Sequence, residues 1–196
     1  MREVISSGFT PQRKIIGVNN RYGNTGIRKM QGSTVCKWDT LPIDGRLDFR
    51  FFEGAQARQF PETNVDVDGG NRLNVGSSFV CERYYLTYYQ HQDTLDYEVP
   101  TGIETLPNIQ FGQISVTVAN KEVIKNVPIM SSMPSYNKNA SQQTYTNFEF
   151  DTQIVLQPLL EYVVTIRVPI LPSTDYQFLR LTIEGTGAII SPSSPF

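Results

Sequence analysis

Residues 148–183 read FEFDTQIVLQPLLEYVVTIRVPILPSTDYQFLRLTI, and the spacing of apolar residues in this stretch decides the fold class. Phe148, Phe150, Ile154 and Leu156, with Thr152 in the same register, fall on every second position. After Gln157-Pro158-Leu159-Leu160 the alternation resumes at Tyr162, Val164, Ile166, Val168 and Ile170, and after Pro172-Ser173-Thr174-Asp175 at Leu179, Leu181 and Ile183. A period of two is that of a β-strand. Each strand therefore has an apolar and a polar side, with Glu149, Asp151, Gln153, Thr165 and Arg167 on the wet one, as in antiparallel sheets packed on one face. The first two strands read as an antiparallel pair joined by the short turn between them.

Working outward, Leu47, Phe49 and Phe51 alternate with Asp48 and Arg50. Ile114, Val116 and Val118 lead through Ala119-Asn120-Lys121-Glu122 into Val123–Ile129, a compact hairpin. The strands expected are 46–52, 77–90, 113–119, 122–129, 146–156, 161–170 and 177–184, and the stretch 27–38 adds an eighth. No segment of ten or more residues has the i, i+3, i+4, i+7 pattern of a helix. The expected fold is all-β: a single antiparallel β-sandwich, a jelly roll of about eight strands, with an extended N-terminal arm (1–37), a sandwich domain (38–185) and a Pro/Ser-rich C-terminal tail (186–196) too rich in proline to continue a strand. An immunoglobulin-like sandwich is the rival, but such domains run to about 100 residues.

The chain has 196 residues, 39% hydrophobic and only 18% charged, so uncharged polar residues fill the difference. The net charge of −2 hides an asymmetry: residues 1–37 hold seven Lys or Arg against Glu3 alone, a balance of +6 that leaves −8 for the rest. Such an arm points to nucleic acid or a neighbouring subunit, or to a solvated tail. No stretch approaches the ~20 apolar residues of a membrane span. MREVISSGFT has no apolar h-region, so no secretory signal is read and manufacture in the cytoplasm is expected. Cys36 and Cys81 are then expected to be buried thiols, not a disulfide.

Few residues offer chemistry. His91, the single histidine, lies near Asp93 and Asp96 without a nucleophile or a second metal ligand in reach of the sequence. Asn64-Val65-Asp66-Val67-Asp68-Gly69 opens like a calcium loop, but its twelfth position is Val75 where a bidentate carboxylate is needed. No catalytic residue, metal site or cofactor is expected, and the protein is not read as an enzyme. The run Phe79–Tyr89 is apolar or aromatic on both parities, so both faces of that strand are expected to be covered. Its Tyr84, Tyr85, Tyr88 and Tyr89 are candidates for an interface or a ligand platform. In the arm, Arg13, Lys14, Arg21, Arg28 and Lys29 are candidates for phosphate or neighbour contacts without sequence readout.

A basic Gly/Asn-rich arm, a sandwich of this length and a Pro/Ser-rich tail together resemble the coat proteins of small icosahedral viruses. The segments RFFEGAQARQFPETN, GSSFVCERYYLTYY and YVVTIRVPILPSTDYQFLRLTIEGTG are most similar in texture to structural proteins of tailless bacteriophages. The resemblance implies a capsid subunit that self-assembles into an icosahedral shell in the virion, after assembly in the host cytoplasm. It implies homo-oligomers (pentamers, hexamers or trimers), other virion proteins as partners, and termini that clamp adjacent subunits. Basic arms in that family often face the genome, but the Lys and Arg residues here are scattered, which favours clamping. The alternative is a carbohydrate- or receptor-binding β-sandwich, such as a phage spike or lectin-like module.

Overall fold

The computed structural model describes residues 30–65, 71–74, 77–90, 106, 108–129, 148–169 and 177–190. Among the described residues there are eight strands: β1 (Met30–Pro42), β2 (Asp48–Phe51), β3 (Ser77–Gln90), β4 (Gln113–Val118), β5 (Lys121–Pro128), β6 (Phe148–Leu156), β7 (Tyr162–Arg167) and β8 (Gln177–Ile190). They form two four-stranded antiparallel sheets, ordered β1-β8-β3-β6 and β2-β7-β4-β5. Among the described residues there is no α-helix, only two single 3-10 turns at Ala55–Ala57 and Ile109–Phe111.

The pairings β1·β8, β2·β7, β3·β6 and β4·β5 are nested, as though a long hairpin folded at the β4–β5 turn had been rolled into a barrel-like sandwich. This is a jelly roll. The β4–β5 hairpin stands where the alternation placed it. The pair expected between the strands flanking Gln157–Leu160 does not form: β6 lies in one sheet and β7 in the other, each bonded to an earlier part of the chain. Period-two patterning marks which face of a strand is buried, and it is silent on which neighbour the strand takes.

The apolar registers meet between the sheets. Phe49 and Phe51 of β2, Ile114 and Val116 of β4, Tyr162, Val164 and Ile166 of β7, and Leu179, Leu181 and Ile183 of β8 are all buried. Among the described residues a void of about 10 Å3 lies between the sheets, lined by Cys81, Tyr84, Val116, Ile154, Tyr162 and Ile183. That is room for at most one water molecule, so this void is not a ligand pocket.

Both boundaries of the sandwich move outward from those read in the sequence. β1, the eighth strand read over 27–38, begins at Met30, inside the stretch also assigned to the arm, and pairs with β8 from Met30↔Ile190 to Pro42↔Phe178. β8 continues through Thr186 to Ile190, residues assigned to the tail. Small residues conceal this extension, because backbone pairing with β1 and β3 needs no large side chain. At one of them glycine is required: a Cβ on Gly185 would lie 1.9 Å from the Val80 carbonyl oxygen, whereas one on Gly187 would lie 2.3 Å from Val35 Cγ2 and displace that side chain. Pro192 and Pro195 come only after the strand has ended.

Antiparallel order also assigns the connections to ends. The first residue of β1 and the last of β8 lie side by side at one corner of the sandwich. The strand ends that bracket residues 91–105, 130–147 and 170–176 all lie at the opposite end. There Ile129 N–H bonds the Gly112 carbonyl and Ile43 N–H bonds the Gln177 carbonyl.

Candidate functional site

Residues 52–65, in the connection between β2 and β3, form a strap bound to β1. Its anchor is Asp39, which shares the inward register of β1 with Val35 and Leu41 and is completely buried. A buried carboxylate must be compensated locally. Arg58 supplies a two-pronged bond, Nε to Asp39 Oδ1 at 2.9 Å and Nη2 to Oδ2 at 2.7 Å, and the Phe52 N–H donates to Oδ2 at 2.6 Å. Phe52 itself takes a left-handed backbone (φ 70°), which turns the chain out of β2 toward Arg58.

Beyond Arg58 the strap runs along the free edge of β1. Thr63 bridges Asp39, and Thr63 Oγ1 donates to the Trp38 carbonyl at 2.9 Å. The Asn64 side chain accepts from the Trp38 N–H at 2.7 Å and donates to the Cys36 carbonyl at 2.8 Å. An open strand edge invites another chain, and here the middle of β1 is covered. The carboxamide of Asn64, first position of the calcium-like motif, is thereby committed to strand backbone. Asp66, Asp68 and Gly69 lie outside the described residues, as does His91. Among the described residues no three His, Cys, Asp or Glu side chains gather as metal ligands, and no helix is long and apolar enough to cross a membrane.

The strap borders the outer face of the β1-β8-β3 strands. Cross-strand partners share a face, and the register gives rows Pro42–Phe178–Tyr89, Thr40–Arg180–Thr87, Trp38–Thr182–Tyr85 and Cys36–Glu184–Arg83. Arg180 is the centre. Its guanidinium lies 4.9 Å from the Tyr89 ring centroid and 5.8 Å from that of Trp38, and it donates to Thr40 Oγ1 and to the Pro61 carbonyl of the strap. Trp38 Nε1 donates to the same carbonyl at 3.2 Å, and the Phe60 ring stands edge-on to Trp38 with centroids 6.4 Å apart. Phe60 is 78% exposed. In the next rows Tyr85 donates to Glu184 Oε1 at 2.8 Å, Arg83 lies 3.9 Å from Glu184 Oε2, and Thr186 donates to Glu82.

The four candidate tyrosines do not form one surface. Tyr84 and Tyr88 are in the core, Tyr89 is buried beneath Arg180, and Tyr85 is half-buried against Glu184. The reason is a register shift between Cys81 and Arg83, where Glu82 is the extra residue. Phe79 and Cys81 face inward before it, Tyr84 and Tyr88 after it, so the inward parity changes from odd to even. A bulge thus accounts for much of the run that looked apolar on both parities. Covering of the outer face accounts for the remainder, through buried Val80 and Tyr89.

Neither cysteine is in a disulfide. Cys81 is buried as expected, and burial pushes its thiol up to about 12. Cys36 is only half-buried, on the outer face beside Glu184, contrary to expectation; burial first and the Glu184 charge second raise its pKa. The Tyr85 hydroxyl is raised by burial and by its bond to Glu184. Raised thiols are poor nucleophiles at neutral pH. Arg13, Lys14, Arg21, Arg28 and Lys29 lie outside the described residues.

The residues that organise this face were not singled out in the sequence. Asp39 carried only a weak signal, since the register it shares with Val35 and Leu41 also holds Lys37. Arg180 carried none, because an arginine on the wet side of a strand looks like any solvated charge. No protein-family model, no curated protein and no solved structure matches the chain.

Proposed function

We propose that the protein is a structural virion subunit, a coat or vertex protein that self-assembles into an icosahedral shell. The observation that carries this reading is the nested jelly roll in which the start of β1 and the end of β8 lie side by side. Met30 and Ile190 pair, and on this reading the basic residues before Met30 and the Pro/Ser-rich residues after Ile190 reach one neighbour. Modest contacts repeated many times add up in a closed shell, and termini that bind neighbours lock it. Arg13, Lys14, Arg21, Arg28 and Lys29 then meet acidic neighbours or phosphates, and the partners are further copies of the chain and other virion proteins, assembled in the host cytoplasm. A glycan-binding module is the weaker reading, since Tyr84, Tyr88 and Tyr89 are buried.

Light scattering behind a sizing column tests the proposal. The expected result is rings or megadalton particles, lost on removing residues 1–29 while the far-UV circular dichroism is unchanged. A 22 kDa monomer at every concentration overturns it.

A further inference from the structure

We infer that the free edge of β1 over residues 30–34 is an acceptor for one added strand, and that its occupant is the run 14–18 from the arm of a neighbouring copy. This deepens the shell reading and rests on it for the identity of the neighbour.

In an antiparallel strand the backbone groups of successive residues point to one neighbour and then to the other. On β1 the strap marks the residues that point away from β8. The Trp38 N–H and C=O both bond to Asn64, the C=O also to Thr63, and the Cys36 C=O accepts from Asn64 Nδ2. Pairing with β8 runs from Met30 to Pro42 without a register shift, so Thr34, Gly32 and Met30 direct their N–H and C=O groups to that same outer side. Among the described residues nothing bonds these six groups, and Gly32 and Thr34 are exposed. The other edges are blunted against an added strand. β2 has only four residues, β5 carries Lys121, Glu122, Lys125 and Pro128 and shifts register twice against β4, and β6 shifts register against β3 between Glu149 and Ile154. Residues 30–34, Met-Gln-Gly-Ser-Thr, have no charge, no proline and no bulge.

An added strand is held by its main chain, so the occupant must bring backbone donors and strand-forming residues. The C-terminal residues Ser191-Pro192-Ser193-Ser194-Pro195-Phe196 do not, because proline has no N–H to give. Before Met30 the densest run of β-branched residues is Lys14-Ile15-Ile16-Gly17-Val18, three in five and free of proline, equal in length to the open edge. The 11 residues from 19 to 29 that separate this run from β1 span up to about 36 Å when extended, enough to carry it to the edge of an adjoining subunit. Charge favours the transfer, since an N-terminal stretch of +6 meets a remainder of −8. Direct pairing of two β1 edges would instead set the basic flanks of both strands, Arg28, Lys29 and Lys37, against one another.

The test uses the full chain and two proline variants. Ile16→Pro spoils the donor run and leaves the edge intact. Thr34→Pro removes an N–H that points away from β8, so it blocks the edge and keeps the β1–β8 ladder. Circular dichroism melts confirm folding, and amide hydrogen exchange at Gly32 and Thr34 is read by mass spectrometry with residue-level fragmentation. Both amides are expected to exchange at least tenfold more slowly in the parent than in Ile16→Pro, a comparison that stands even where Thr34→Pro does not fold. Mixing isotope-labelled Ile16→Pro chain with unlabelled Thr34→Pro chain is expected to restore slow exchange in the labelled chain, because one supplies the edge and the other the arm. Equal exchange in the parent and Ile16→Pro overturns this inference, and particles formed by that parent leave the shell reading standing. Slow exchange in the parent that mixing with folded Thr34→Pro does not restore puts the arm on its own subunit and overturns the transfer between copies. Restored protection in small oligomers that never become particles supports the edge and sinks the shell reading alone. A parent chain that is monomeric throughout overturns both.

Discussion

Replacing Asp39 by alanine removes three bonds at once, two from Arg58 and one from the Phe52 N–H. Removing one partner of a buried ion pair costs about 3–5 kcal/mol, because the other charge is left uncompensated. The Arg58 side chain retains 20% of its exposure and its bond to the Glu53 carbonyl, which brings the cost toward the lower end. The orphaned Phe52 N–H adds part of the roughly 1–3 kcal/mol of an unsatisfied buried donor. We expect about 3–4 kcal/mol in all, a fall in Tm of roughly 6–16 °C for a chain of this size.

Trp38, the single tryptophan, adjoins Asp39 and touches the strap, so its fluorescence reports the release directly, alongside urea unfolding followed by circular dichroism. Arg58→Ala and the double variant complete a cycle, with an expected coupling of about 2 kcal/mol or more. An Asp39→Ala cost below about 1 kcal/mol, or strictly additive single variants, refutes the strap's dependence on this pair.

Gly185→Ala forces a Cβ against the Val80 carbonyl and is expected to cost at least about 3 kcal/mol in urea unfolding; a cost under about 1 kcal/mol shows that the bulge yields. The Cys81 thiol has a folded-state value raised from 9.0 to about 12, so the folded state binds more protons over that window and stability falls as pH rises from 9 toward 12. Cys81→Ala is expected to flatten this alkaline decline by up to about 1.4 kcal/mol per pH unit, and parallel curves for parent and variant contradict the assignment. Arg180→Lys keeps the charge but loses the planar fork between Trp38 and Tyr89; about 1–2 kcal/mol of destabilisation and a shifted Trp38 emission are expected, and unchanged emission counts against the stacking.

Much of the core was legible in advance. Phe49, Phe51, Ile114, Val116, Tyr162, Val164, Ile166, Leu179, Leu181 and Ile183 are all buried, and each stands on a period-two register. Where the reading went astray, a local rule was broken by a distant partner. The bulge at Glu82 reversed the parity of β3, which divided four tyrosines between core and surface. The far end of β8 was hidden by glycine, threonine and alanine, whose pairing energy lies in backbone bonds that side-chain hydropathy does not report.

The sequence by itself determined the fold class, the strand inventory and the inward face of most strands, because side-chain alternation is a local consequence of strand geometry. It also determined the charge asymmetry of the chain. Only the tertiary structure decided which strands pair, since the partners of β1, β2 and β3 lie more than 60 residues away and nothing in the alternation names them. The same holds for the outer face: Asp39 meets Arg58, and Arg180 meets Trp38, Tyr89 and Pro61, because the jelly-roll register carries those segments together.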